Sequence, residues 1–314
     1  MTAPQRRVLF VHAHPDDETI NNGATMARYA AEGAWVGVVT CTLGEEGEIL
    51  VPELAQLSAD AADQLGGWRI AELRQALAEL GVCEHRFLGG AGHFRDSGML
   101  GTPANHRPRA FWRADQDPAV FAEAVGLLAG LIRHWRPQVL VSYDSDGGYG
   151  HPDHVMAHRV TLAAAEAAAE PADEAPGWAV AKVYEIALPA SAAAVPDPAA
   201  SPFQPVAERP SRPDDSVTTA VPAPAAARAA KQRALAAHAT QVSVQGDWFA
   251  LSNGLGQPVD GIEYYRLVQG RLGPERDADG RETDLFAGLP GRAGMPAASA
   301  MVDNGVVPTS PGSR

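Results

Sequence analysis

Apolar and polar positions along the chain alternate between two rhythms. Short runs rich in β-branched and aromatic residues, at 7–12, 35–41, 85–88, 138–143 and 180–188, read as strands. Longer stretches at 20–32, 66–80, 118–135 and 154–170 carry apolar residues at helical spacing. Strand and helix patterns taken in turn predict an α/β fold, a Rossmann-like, doubly wound and mostly parallel sheet. Proline-rich text from 195 to 224 reads as a connection, Ala225 to Gln241 as a helix and Gly261 to Val268 as a further strand. The organisation expected is a Rossmann-like catalytic domain over 1–190 and a smaller C-terminal region over 191–287 that completes the fold. The text over 288–314 is expected to be a disordered tail, because it has too little apolar surface to bury.

The polar residues that interrupt this pattern fall at two strand-to-helix junctions. Arg7 to Val11 runs into His12-Ala13-His14-Pro15-Asp16-Asp17-Glu18, where Pro15 stops the strand. Gln138 to Tyr143 runs into Asp144-Ser145-Asp146-Gly147-Gly148-Tyr149-Gly150-His151-Pro152-Asp153-His154. In a parallel sheet both junctions lie on the carboxyl edge, where open α/β folds bind their ligands. A dinucleotide site would carry glycines after the first strand; imidazoles and carboxylates there are the ligands of a cation. His14, Asp17 and His154 would supply the three protein ligands that a catalytic zinc takes. His14 and Asp17 are one turn apart and can face one point. His151 and His154 share that spacing, but Pro152 keeps His151 in the loop, so one of the two binds metal and the other reaches the substrate. Asp16 faces away from Asp17 and is free to act as a base, while Asp153 can hydrogen-bond a histidine and fix its tautomer.

A solitary His-x-x-Asp is more often a turn than a site, and carboxylates at a helix start often do no more than complement its dipole. The conjunction decides: two independent His/Asp clusters, each after a strand and each opening a helix. His238, near the end of the 225–241 helix, reads as a capping or dipole-complementing residue and is left outside the site. Arg107, Arg109 and Arg113 read as a solvated loop.

Composition narrows the classes of function. A net charge of −13 offers no basic stripe for phosphates, so no nucleic-acid partner is expected. No apolar run approaches the roughly 20 residues that cross a bilayer, and no signal-peptide pattern opens the chain; no membrane association is expected. Cys41 and Cys83, the two cysteines of the 314 residues, lack metal or redox spacing. A cytoplasmic, reducing location is the expectation.

The Ala-His-Pro-Asp-Asp-Glu motif (13–18) and Gly-His-Pro-Asp-His motif (150–154) resemble those of the PIG-L/LmbE-like zinc-dependent N-acetylglucosamine deacetylases. Thr40 to Glu48, Leu65 to Ile70, Leu88 to Gly92, Arg95 to Met99, Ala237 to Gln241 and Glu282 to Leu285 extend the resemblance. It is narrowed to the branch acting on N-acetylglucosaminyl-inositol in actinobacterial mycothiol biosynthesis. The resemblance runs from about residue 7 to about 289 and is loose over 177–226. It implies one Zn²⁺ per subunit on His14, Asp17 and His154, with Fe²⁺ as the alternative cation, and Asp16 as general base. It implies that Tyr149 and His151 polarise the amide oxygen or protonate the leaving amine, with Asp153 as partner of that histidine. Arg69, Glu48, Asp96 and Asn22 fall where sugar or inositol hydroxyls would be held. The expected activity is hydrolysis of the acetamide of a small acetamido-sugar inositol substrate to acetate and a free amine. The alternatives are a mycothiol S-conjugate amidase with the same motifs, and a non-catalytic sugar-binding protein, against which the intact Asp16 argues. Oligomeric state is not encoded in any of these features.

Overall fold

The computed structural model of the chain describes residues 5–172 and 175–290. The first half builds five parallel strands: β1 (Arg7–His12), β2 (Trp35–Thr40), β3 (Glu84–Phe87), β4 (Val139–Ser142) and β5 (Lys182–Ile186). Between them run α1 (Asp17–Ala31), α2 (Leu65–Leu80), α3 (Pro118–Trp135), a single turn α4 (Gly147–Gly150) and α5 (Pro152–Ala169). The rest adds β6 (Thr219–Pro222), α6 (Ala225–Ala237), a small sheet of β7 (Ser243–Gln245), β8 (Trp248–Ala250) and β9 (Gln257–Pro258), and then β10 (Ile262–Gln269).

The large sheet has the order β3-β2-β1-β4-β5-β10-β6, and β10 alone runs antiparallel to its neighbours β5 and β6. The doubly wound, mostly parallel α/β sheet expected from the sequence is therefore the observed fold. The chain steps outward from β1 to β3 and then crosses back to place β4 on the other side of β1. The loops after β1 and β4 consequently diverge from a single point on the carboxyl edge, the topological switch point where α/β sheets open a crevice.

Strand alternation sorts the core into two layers. Leu9 and Val11 face Leu128 and Ile132 of α3 and Met156 and Val160 of α5. Val8 and Phe10 face Met26 and Tyr29 of α1, Leu73 and Leu77 of α2, and Ala227 and Ala234 of α6. Each such side chain contributes about 1.5–3 kcal/mol on burial. With both faces covered, Val8 to Val11 of β1 are apolar and buried on either side.

The C-terminal half is sewn into the same sheet. Lys182 on β5, fully buried, donates from Nζ to Glu282 Oε1 at 2.8 Å, and Tyr184 Oη donates to Glu282 Oε2 at 2.8 Å. Gly273 N also donates to Glu282. Lys182→Met is expected to destabilise the fold by about 3–5 kcal/mol, because Glu282 would keep its charge without its counter-ion in a dry site. Denaturant unfolding of the two proteins measures the difference.

Several elements depart from the sequence expectations in informative ways. The 195–224 stretch, read as a connection, contains β6, a four-residue strand ending in Pro222 at the sheet edge, where a missing N–H is tolerated. Helix α1 starts at Asp17 rather than Ile20, so Asp17 and Glu18 occupy its first turn. The expectation of a disordered tail falls, beyond residue 290, outside the described residues.

Candidate metal centre

The two junctions meet at the switch point. The N–H of Ala13, just past β1, donates to Tyr143 Oη at 2.9 Å, which ties the β1 loop to the end of β4. His14 then turns inward, and its backbone N–H donates to Asp17 Oδ2 at 3.0 Å. From the other junction His154, in the first turn of α5, stacks on Tyr143 with ring centroids 4.2 Å apart. Gly147 has φ 63°, and a Cβ there would lie 2.7 Å from the His154 Cβ, so that turn requires glycine.

Three donor atoms form a nearly equilateral triangle. His14 Nδ1 lies 3.2 Å from Asp17 Oδ2, and His154 Nε2 lies 3.3 Å from each of them. A tetrahedral cation with bonds of about 2.0–2.1 Å would separate its ligand atoms by roughly 3.3–3.4 Å. The tautomers agree with that use. His154 Nδ1 is 3.1 Å from the carbonyl of Gly147, which places the proton there and a lone pair on Nε2. His14 Nε2 faces Asp153 Oδ2 at 3.3 Å and Asp96 Oδ1 at 3.4 Å, leaving a lone pair on Nδ1. This is the carboxylate–histidine arrangement that orients metal ligands. Burial works against ionisation of Asp17, yet His154 and His14 hold it well below the usual carboxylate range. The donor set fits a divalent cation such as zinc. His151 lies close enough to form a wider group, since donor atoms of His14, His151 and His154 all fall within 4.8 Å of one another.

Asp16 stands beside this triangle but outside it. Its backbone has φ 107° and ψ −36°, a conformation that costs a non-glycine residue about 1–3 kcal/mol. Its Oδ2 is 3.0 Å from Arg69 Nη2. Burial pushes the Asp16 carboxyl up to about 6, with Arg69 pulling against it. It is the one carboxylate of the first loop whose affinity for a proton is tuned towards neutrality.

The remaining residues divide. His151 Nδ1 accepts the backbone N–H of Asp153 at 3.2 Å, so its proton sits on Nε2. Burial, reinforced by the charges of His14 and His154, pushes His151 down to about 3, so the ring is a neutral donor. The Asp153 carboxylate, matched by resemblance to a partner of His151, instead accepts from Ser97 N at 2.8 Å and faces His14. Tyr149 is 62 % exposed at the rim, its ring edge-on to His154 at 5.1 Å. Asp96 sits within the cluster. Arg69 is turned inward, donating to Gly44 O at 2.7 Å and to Pro15 O, which leaves its fork engaged with the loop and Asp16 rather than open to hydroxyls. Asn22 lies on the buried face of α1 and donates to Tyr265 Oη at 3.0 Å, away from the crevice. Glu48 is exposed in the loop after β2.

Two groups escaped the sequence reading. His238 does cap the C-terminal end of α6, but its ring is fully buried, with Nε2 2.8 Å from Glu18 Oε1, a contact the sequence reading lacked. Arg212, from the proline-rich stretch, donates to Asp144 Oδ2 at 2.6 Å and Asp146 Oδ2 at 2.7 Å, bracing the loop that carries Tyr149 and His151. Both are contacts across more than sixty residues, with no local pattern to announce them.

The chain belongs to the PIG-L family of GlcNAc-PI de-N-acetylases, which it matches over residues 9–165, a span containing both junctions. It is 58 % identical over 302 residues to the 1D-myo-inositol 2-acetamido-2-deoxy-alpha-D-glucopyranoside deacetylase of Geodermatophilus obscurus, covering 92 % of this chain and 99 % of that protein. The protein of the same name from Thermomonospora curvata is 55 % identical, covering 93 % of this chain and 99 % of its own. Among solved structures, the 4-carboxy-2-hydroxymuconate hydratase of Pseudomonas putida KT2440 superposes with a TM-score of 0.52 at 18 % identity, over 87 % of this chain and all of that one. That likeness concerns the fold alone.

Proposed function

We propose that this protein is a zinc-dependent deacetylase that hydrolyses the acetamide of 1D-myo-inositol 2-acetamido-2-deoxy-alpha-D-glucopyranoside to acetate and the free amine, a step of mycothiol biosynthesis. The observation that carries the reading is the triangle of His14 Nδ1, Asp17 Oδ2 and His154 Nε2 with the Asp16 carboxylate beside it. Identities of 55–58 % with full-length deacetylases of that name support the substrate. His14, Asp17 and His154 would hold the cation; Fe²⁺ accepts the same donors as Zn²⁺. A cation there supplies Lewis acidity to an amide carbonyl and lowers the pKa of water.

The chain's own residues do the rest. Asp16 takes the proton of the attacking water, and Arg69 keeps its carboxylate aimed and partly ionised despite burial. The neutral His151 donates from Nε2, and Tyr149 from its hydroxyl, to the oxyanion that forms at the carbonyl. Asp16, having collected that proton, stands ready to deliver it to the departing nitrogen and would then serve as general acid as well. Asp153 and Asp96 orient His14 from behind. Among the described residues no helix is long and apolar enough to cross a membrane.

The test is acetate release by the metal-loaded enzyme from the inositol conjugate, from N-acetylglucosamine and from a mycothiol S-conjugate. The inositol conjugate, the substrate in the names of the 55–58 % identical relatives, is expected to have the highest kcat/KM, by about 10²-fold over N-acetylglucosamine. Equal kcat/KM for the two sugars would remove inositol from the assignment. Preference for the S-conjugate would make the protein an amidase, and metal binding without turnover would make it a binding protein.

A further inference from the structure

We propose that Glu18 and His238 form a positioning pair that holds the backbone of Asp16, and through it the carboxylate of the base, in the conformation the reaction needs. The inference rests on the deacetylase reading and assigns a role to the C-terminal half within it. Asp16 sits at φ 107°, where a residue with a Cβ stays only if its surroundings fix it. Its backbone N–H donates to Glu18 Oε2 at 2.9 Å. The other oxygen of Glu18 accepts from Thr19 Oγ1 at 2.5 Å and from His238 Nε2 at 2.8 Å. Glu18 and His238 are both completely buried.

The geometry distinguishes this pair from the donors around the cation. Both Glu18 oxygens are engaged with Asp16 N, Thr19 and His238, so Glu18 serves as neither ligand nor base. It is the acceptor for the N–H of a strained peptide, and it has one orientation in which both oxygens are satisfied. His238 fixes that orientation from the far side. It stands at the C-terminal end of α6, which packs on α1 and α2, and the turn after it is closed by Gln241 N and Val242 N donating to its carbonyl at 2.9 and 2.8 Å. The imidazole is thereby held by a helix end that itself belongs to the region after residue 190. Without His238 the carboxylate of Glu18 loses its partner on the far side and Thr19 Oγ1 alone still donates to Oε1; without Glu18 the Asp16 N–H is a buried donor with no acceptor, and the peptide relaxes. Either change moves the base while leaving His14, Asp17 and His154 in place.

The experiment uses the full-length metal-loaded enzyme and the variants Glu18→Ala, His238→Ala, His238→Gln and the double Glu18→Ala/His238→Ala. Glu18→Ala is expected to lower kcat by about 30–100-fold and His238→Ala by about tenfold, with KM within about twofold and metal content per chain unchanged. His238→Gln, whose carboxamide can still donate to Glu18, should recover to within about threefold of the parent. The double variant should be no slower than Glu18→Ala, since His238 acts through Glu18. A second readout needs no substrate: amide hydrogen exchange at Asp16 should quicken about tenfold or more in Glu18→Ala and His238→Ala and stay slow in His238→Gln. Unchanged kcat in His238→Ala, additive losses in the double variant, or an Asp16 amide as protected in Glu18→Ala as in the parent would each overturn the proposal. If the parent enzyme releases no acetate from any acetamido sugar, the deacetylase reading fails, and amide exchange alone still decides whether the pair holds Asp16.

Discussion

Alanine at His154 is expected to leave a folded protein that no longer retains a divalent cation through dialysis and has no measurable turnover. His154 contributes one corner of a triangle whose edges are 3.2, 3.3 and 3.3 Å. His151 is close by, but its Nδ1 caps α5 by accepting from Asp153 N, and swinging the ring into the vacated corner would break that cap. His14→Ala and Asp17→Ala should behave alike, with an affinity loss well above the ~10–100-fold that follows removal of a residue behind the ligands. Asp153→Asn, by contrast, should fall within that smaller range, because Asp96 still faces His14 Nε2. Proton and cation compete for His14 Nδ1, so occupancy of the parent protein should fall as the pH is lowered. Metal analysis after dialysis, with circular dichroism as the control for folding, reads all of these. Full occupancy in His154→Ala would move the centre elsewhere, to the His14, Asp96 and Asp153 group on the opposite face of the ring.

What was legible in the sequence was whatever depends on near neighbours. Strands at 7–12 and 138–143, and helices at 66–80 and 118–135, announce themselves because period and burial coincide there. Parallel topology puts the two polar junctions on one edge, and the pairing of β4 with β1 then brings His14, Asp17 and His154 together. Other features depend on contacts that no local pattern records. β6 was hidden by its proline and its four-residue length at the sheet edge. Asn22 lies near the motif in sequence, yet helical geometry carries it to the face packed on Tyr265. Arg69 has the charge to bind hydroxyls, but the carbonyls of Pro15 and Gly44 come within its reach only when the loops close. His238 is legible as the cap of α6, but its contact with Glu18 is not, because that partner is 220 positions away. In each case the residue type was informative, and the direction of the side chain was set by tertiary packing.

Asp16→Asn should keep the metal and lose turnover by about 10²–10⁴-fold, the range for removing a positioned proton acceptor. The substitution preserves shape and leaves the backbone hydrogen bond from Asp16 N to Glu18 intact. It removes only the capacity to take a proton and the charge facing Arg69. The pH dependence separates these two effects. In the parent the active form is the carboxylate, so kcat/KM should rise with pH until Asp16 is ionised and then level off. Burial pushes that carboxyl up to about 6, and a neighbouring cation favours the ionised form, so the acid limb should lie at or below about pH 6. In Asp16→Asn that limb should vanish, whereas mere loss of the Arg69 contact would lower the whole profile and keep its shape. Near-parental turnover in Asp16→Asn would take the base away from this residue. Glu18 would be a poor successor, since both its oxygens are already held by Asp16 N, Thr19 and His238, and rotating it to reach a water would release the loop it secures.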